Sequence, residues 1–319
     1  MQKYWKTLFL LVVASVFCLT TPAMNFAAEE DSFPSKPIKL IIGGGPGTSI
    51  DVTMRSLSKA AEKVLGQPIV CTNTEGAGGN RALSSIVNEK PDGYTLVTLT
   101  TGTVMTGVVE KVKLDPATDF TPVMNAQDHP IPVAVKKDAP WRTWQDLIKT
   151  ARQEQGSIKV GNFGPKGRDW LVMTQVGKRE NVKFIFAPFS GPGESITALL
   201  GGHINVNTHV SSIVYAKSGE LKILMFFSEE RVKSFPDVPT ALELYGDMPG
   251  FKGSIAGVLA PKGLPKKILA TLHNAYKRAL EDAEYRKVLD SFDISVSHRD
   301  PEDFQNFIKK IQTVVREAL

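Results

Sequence analysis

A strand, a glycine loop and a helix in immediate succession near the N-terminus narrow the choice of folds more than any other stretch. Ile38 to Ile42, apolar apart from Lys39, reads as a buried strand. Gly43-Gly44-Gly45-Pro46-Gly47-Thr48-Ser49 follows as a loop, after which Ile50, Met54, Leu57, Ala61 and Val64 recur at helical spacing. Ser49 is placed to cap this helix, Lys59 and Lys63 suit its last turn, and Gly66 then Pro68 stop it. Pro68 to Thr72 reads as a second strand, Gly76 to Gly79 as a second glycine turn, and Tyr94 to Thr100 as a third strand after the Pro91-Asp92-Gly93 turn. Strands alternating with helices predict a mainly parallel sheet.

The alternation restarts after Pro130. Strand-like runs stand at Ile131 to Val135, Lys183 to Ala187, Ile204 to Thr208 and Leu221 to Phe227, and a capping-box tetrad opens a helix at Thr143-Trp144-Gln145-Asp146. From Pro265 the chain reads as mostly helical, with Ile268, Leu272, Tyr276 and Leu280 on one stripe, a short strand at Ile294 to Val296 and a last helix from Pro301. There is no fixed-period repeat and no low-complexity linker. Two α/β units without a flexible linker predict an α/β fold of two lobes joined by crossing strands, with the cleft between them as the binding place.

Residues 1–28 have the order of a secretory leader: Lys3 and Lys6, the apolar run Leu8 to Leu19, then a small-residue end at Ala27-Ala28. The run is shorter than the roughly 20 residues of a spanning helix. Bulky Phe17 before Cys18 disfavours lipidation, so free release into the periplasm is expected. Cys71 would then be the single cysteine of the mature chain, which excludes an intrachain disulfide. The formal charge of +5 falls to +3 without the two leader lysines. No basic run or basic–aromatic interleaving points to nucleic acid.

The loops carry the chemistry. Beyond the carboxyl ends of strands, helix N-termini offer unpaired N–H groups and partial positive charge. Gly44, Gly45 and Gly47 let backbone N–H groups approach an anion, and Thr48 and Ser49 add hydroxyls; the alternative is a tight turn with no ligand. The loop fits neither nucleotide fingerprint, because Gly47 is followed by Thr48 where the one needs Gly-Lys and the other Gly. Thr100, Thr101 and Thr103 form a hydroxyl-rich strand end on the same lobe. Asn162, Phe163, Lys166 and Arg168 lie in a second loop, Gly161 to Asp169, of the same strand–loop–helix form, where Lys166 and Arg168 either charge the cleft or stay solvated. Ser190 sits in a further turn after a strand. Asn205, Asn207 and His209 alternate onto one face of the Ile204 strand, making His209 either a core histidine or a residue that reaches the cleft. His203 and His209 lack a third zinc ligand at a usual spacing, so no metal and no cofactor is expected. Nucleophile-elbow and zinc-hydrolase signatures are missing, which disfavours an enzyme.

Short motifs in order span the mature chain: Phe33-Pro34-Ser35-Lys36-Pro37-Ile38, Pro46-Gly47 with Asp51 and Arg55, Leu65-Gly66-Gln67-Pro68, Gly76-Ala77-Gly78-Gly79-Asn80, Pro91-Asp92-Gly93-Tyr94-Thr95-Leu96, Leu200-Gly201-Gly202, Pro236-Asp237-Val238-Pro239-Thr240 and Ala260-Pro261. As an ordered set they resemble the extracytoplasmic solute receptors of tripartite tricarboxylate transporters, the Bug family. The resemblance implies a two-lobed periplasmic-binding-protein (Venus-flytrap) fold with two crossover strands. Its lobes are expected at 29–127 plus 249–319 and at 128–248. It also implies a small carboxylate ligand held by loop backbone and hydroxyl groups, and a large and a small integral membrane subunit as partners of a monomeric receptor. A sensor on the same fold is the alternative, with an α/β enzyme behind it. Where the family usually reads Pro-Phe-x-Pro-Gly-Gly, this chain has Gly43-Gly44-Gly45-Pro46-Gly47-Thr48. That roomier first loop, with a more basic second one, predicts a larger or more highly charged anion.

Overall fold

The computed structural model describes residues 33–163, 167–189, 191–246 and 252–319. The strands are β1 (Ile38–Ile42), β2 (Ile69–Asn73), β3 (Thr95–Thr100), β4 (Phe120–His129), β5 (Ile131–Lys136), β6 (Lys159–Phe163), β7 (Ile185–Phe189), β8 (Val206–Asn207), β9 (Leu221–Phe227), β10 (Ser254–Pro261) and β11 (Ser295–Arg299). They form two sheets, ordered β2-β1-β3-β10-β4-β11 and β7-β6-β8-β5-β9.

Both sheets are mixed, which corrects the expectation of mainly parallel ones. Pairs β1/β2, β1/β3, β6/β7 and β6/β8 are parallel. Strand β10 inserts antiparallel between β3 and β4, and β5 runs antiparallel to both β8 and β9. The reason lies in the path of the chain. β4 runs straight on through Pro130 into β5 of the other sheet, with no crossover helix to reset its direction. Where β10 begins, Gly253 adopts φ +89°, and a Cβ there would lie 2.6 Å from the His129 carbonyl oxygen and 3.2 Å from that of Phe227. Only glycine satisfies both the dihedral and the contact at this junction.

The first helix, Ser49–Leu65, is capped by Thr48 and not by Ser49: the Thr48 hydroxyl accepts from the Asp51 N–H, and Ser49 is the first helical residue. Gly66 ends the helix in the left-handed region at φ 69°. Met54, Leu57 and Ala61 are buried on its inner face. The helix Lys266–Ala279 packs along it, and the last helix, Pro301–Ala318, lays Phe304 and Ile308 onto the first sheet against Val97, Leu99 and Leu259. The capping box at Thr143 and Asp146 forms as its sequence predicts.

Two strands of the second sheet differ from expectation. β7 starts at Ile185, because Lys183 is engaged with the turn at Gln155 and Gly156. β8 keeps only Val206 and Asn207, because the Asn207 side chain accepts from the His209 N–H at 2.9 Å and turns the chain out of the ladder. The alternation argument for Asn205, Asn207 and His209 therefore fails.

Candidate functional site

The carboxyl ends of β1, β3, β7 and β8 border one cavity of about 580 Å³. Its first wall is the loop after β1. Asn73, at the end of β2, donates to the Gly44 carbonyl at 2.7 Å and to Asp51 at 2.8 Å. Asp51 in turn accepts from Gly47 N–H at 3.0 Å and from Arg55 Nε at 2.7 Å. The Thr48 hydroxyl donates to the Gly45 carbonyl at 2.7 Å, and the Gly43 N–H donates to the Thr98 hydroxyl at 3.0 Å. With the loop fixed in this way, the N–H groups of Gly44, Gly45, Ser49 and Ile50 make no hydrogen bond among the described residues. All four belong to residues that line the cavity, at the positive end of a 17-residue helix.

Two further helices present their first turns to the same space. The helix Thr101–Val109 is capped by the Thr100 hydroxyl, which accepts from Thr103 N–H at 3.1 Å, and it turns Gly102 and Thr103 toward the cavity. From the second sheet, the helix Arg168–Glu180 contributes Gly167, Arg168 and Asp169. Arg168 is only 5% exposed; its guanidinium donates to Asp169 at 3.2 Å and lies 5.3 Å from the centre of the Phe227 ring. Burial pulls the guanidinium below its usual pKa, opposed by the charge and hydrogen bond of Asp169.

Of the residues singled out from sequence, Gly44, Gly45, Thr48, Ser49, Thr100, Thr103, Arg168 and His209 line this cavity. Gly47 is not among the lining residues, and the Thr101 hydroxyl is used internally, accepting from Ile255 N–H at 3.0 Å. Asn162 is buried in β6 outside the lining, and Phe163 ends that strand. Lys166 and Ser190 lie outside the described residues.

Sequence reasoning missed Glu75, Arg81, His129 and Asp169 in the lining. The Gly76–Gly79 turn was visible, and because β1 and β2 are parallel it lies at the same end of the sheet as the first loop. That adjacency was the available signal for Glu75 and Arg81. Glu75 sits so close to the first loop that a methyl group on Gly45 would come within 2.8 Å of its carboxyl carbon. His129 gave no local signal, because its position depends on where β4 crosses between the sheets.

The sequence pattern of the tripartite tricarboxylate transporter family receptor matches residues 53–318. The chain belongs to that family. The UPF0065 protein in the gbd 5′ region of Cupriavidus necator is 32% identical over 309 residues, covering 95% of this receptor and 94% of that protein. Among solved structures, a ligand-free TctC solute-binding protein from Polaromonas is 30% identical with a TM-score of 0.71, covering 90% of this chain and 99% of that one. MatC from Rhodopseudomonas palustris with bound malate is 27% identical with a TM-score of 0.80, over 90% and 99% of the two chains. The receptor therefore has the two-lobed periplasmic-binding-protein fold with two crossover strands. Among its described residues, no helix is long and apolar enough to cross a membrane, and no group of three or more His, Cys, Asp and Glu is placed to hold a metal.

Two histidines of the receptor line the cavity from different sheets. His129 ends β4 and is hydrogen-bonded through Nε2 to the Gln127 side-chain amide oxygen at 2.7 Å, so that nitrogen carries a proton. His209 accepts from Ser211 N–H through Nδ1 at 3.1 Å, which places the proton of its neutral ring on Nε2. Burial pushes His129 down to about 3 and His209 to about 4, with His209 adding repulsion at His129. The folded pKa values lie below the unfolded value of about 6.5, so below that pH the unfolded chain binds more protons. Stability is therefore full above about pH 6.5 and declines on acidification, by about 2 kcal/mol per histidine by about pH 5. Urea unfolding of the ligand-free receptor at several pH values is expected to show this slope, and the H129Q/H209Q double variant to flatten it.

Proposed function

We propose that this receptor works in the periplasm, captures a small organic carboxylate between its two lobes, and delivers it to the large and small membrane subunits of a tripartite transporter. The convergence of three helix N-termini on one cavity carries the reading. They belong to Ser49–Leu65, Thr101–Val109 and Arg168–Glu180, and the first brings four N–H groups unused among the described residues. Several aligned donors in a partly desolvated cleft hold a carboxylate strongly without a metal. The bound malate of MatC, a relative covered over nearly its full length, supports the ligand class.

In this reading Gly44, Gly45, Thr48, Ser49, Thr100 and Thr103 hold the ligand from a first lobe of residues 29–127 and 249–319. Arg168 and His209 hold it from a second lobe of residues 128–248. Ligand bridging the two favours the closed form by its differential contacts, and closure signals occupancy to the membrane subunits. The leader of residues 1–28 directs export and the mature receptor is released without a lipid tether.

A thermal-shift screen of the purified mature protein against mono-, di- and tricarboxylates, acidic amino acids and aromatic acids tests the reading. A ligand at about 100 times its Kd stabilises the native state by about 2.7 kcal/mol, a rise of roughly 5 °C for a chain of this size. A flat response to the whole panel sinks the carboxylate assignment. Small-angle scattering with the best ligand is expected to show compaction, and an unchanged profile removes the closure step.

A further inference from the structure

An acidic side chain stands beside the anion-binding loop without a counter-charge. Asp51, behind that loop, is held by Arg55 and Asn73, and Asp169, in the wall from the second sheet, is hydrogen-bonded to Arg168. Glu75 lines the same cavity, is exposed, and makes no hydrogen bond or ion pair among the described residues.

The backbone fixes where the Glu75 carboxylate stands. Thr74 N–H donates to the Ile42 carbonyl at 2.9 Å, which carries the β1/β2 ladder one residue past β2, and Gly79 N–H donates to the Gly76 carbonyl at 3.0 Å to close the turn on the other side. Held between these bonds, Glu75 reaches across to the first loop. A Cβ on Gly45 would lie 2.8 Å from its carboxyl carbon and 2.9 Å from each carboxylate oxygen. Gly45 is also one of the four residues whose N–H groups are unused among the described residues. The donors for an anion and a fixed anion are therefore neighbours.

In the empty cleft, water solvates the Glu75 carboxylate. A ligand carboxylate seated on the Gly44 and Gly45 N–H groups displaces that water and brings a like charge close in a medium of lower dielectric, which magnifies the repulsion. A ligand that carries its own cation next to the carboxylate turns the repulsion into a charge-assisted hydrogen bond. An α-ammonium group is one carbon away from its carboxylate, and it meets Glu75 while the carboxylate meets the loop. Arg81 does not take this role: its guanidinium packs against Gly76, where a Cβ would lie 3.2 Å from Cζ and from Nε, and it forms no ion pair among the described residues.

We propose that this receptor captures α-amino acids, with Glu75 as its specificity-determining residue: the ligand's α-carboxylate accepts from the first-loop N–H groups, and its α-ammonium donates to the Glu75 carboxylate. This narrows the carboxylate reading above and rests on it. The ligand's side chain then extends toward the wall that holds Arg168 and Asp169. A simple acid lacking the ammonium group binds more weakly, because it leaves Glu75 desolvated and unpaired beside its own carboxylate.

Calorimetric titration of the wild-type receptor with matched pairs that differ only in the ammonium group tests this: aspartate and succinate, glutamate and glutarate, alanine and propionate, phenylalanine and phenylpropionate. The best amino acid is expected to bind at least about tenfold more tightly than its deamino partner. Glu75→Gln is expected to remove that preference, weakening the amino acid by about tenfold or more while the deamino acid binds as tightly as before or more tightly. Should the variant fail to fold, the wild-type ratios decide alone. Deamino acids that bind the wild type as tightly as their amino acids, or a preference that survives in E75Q, overturn the role of Glu75 and leave the carboxylate reading standing. Absence of binding by any of these acids overturns both.

Discussion

Replacing Arg168 by alanine is expected to weaken capture of a dicarboxylate by on the order of 100-fold, with the fold retained. Arg168 is the buried cation of the second wall, packed over Phe227 and hydrogen-bonded to Asp169. Its removal takes away a charge-assisted donor from the cavity wall and the hydrogen bond that Arg168 makes to Asp169, whose side chain is 12% exposed. Truncating one partner of a buried charge pair costs about 2–5 kcal/mol, of which about 2.8 kcal/mol is 100-fold in Kd. Calorimetry with the best carboxylate of the thermal screen, alongside circular dichroism to confirm folding, checks this. Unchanged affinity would place Arg168 outside the ligand's contacts.

The largest expected loss of stability lies away from the cavity. Gly257 is in β10, the strand inserted between β3 and β4, and a Cβ there would lie 2.5 Å from the Met124 carbonyl oxygen and 2.6 Å from the Phe304 ring. The backbone contact cannot yield without breaking the β4/β10 ladder, and the ring contact cannot yield without displacing the last helix. Gly257→Val is expected to cost at least about 3 kcal/mol, lowering Tm by roughly 6 °C or more. Gly193→Ala is the control, since nothing lies within 4 Å of its added methyl group and alanine favours a helix. Equal Tm values for the two variants would show that β10 does not bind the first sheet together as described.

These two positions also mark the difference between what was legible in the sequence and what was not. The unit from Ile38 to Gly66 was readable almost to the residue, because an apolar run, a glycine loop, a cap and a stop are all local signals. Only the cap was misassigned, since Thr48 and Ser49 offer the same hydroxyl and backbone geometry chose between them. Gly257 was illegible: nothing in Ser254-Ile255-Ala256-Gly257 says that the strand runs antiparallel between two others or that Phe304 presses on it. Likewise, Arg168 announced itself in a loop preceding a helix, whereas His129 lines the cavity because β4 continues into the second sheet through Pro130. A sequence argument built on local loops finds donors on loops. Residues delivered by long-range strand order escape it, as does the shortening of β8 by the Asn207 side chain.

In the proposed function, backbone donors of the first loop, with Arg168 in the opposite wall of the cavity, hold the ligand's carboxylate. A crystal structure of the receptor with the best carboxylate from the thermal screen tests it most directly. Carboxylate oxygens are expected within hydrogen-bonding distance of N–H groups among Gly44, Gly45, Ser49 and Ile50, with Arg168 engaging the other end of the ligand. A ligand bound elsewhere, or one lying in the cavity with those four N–H groups still unused, would contradict it.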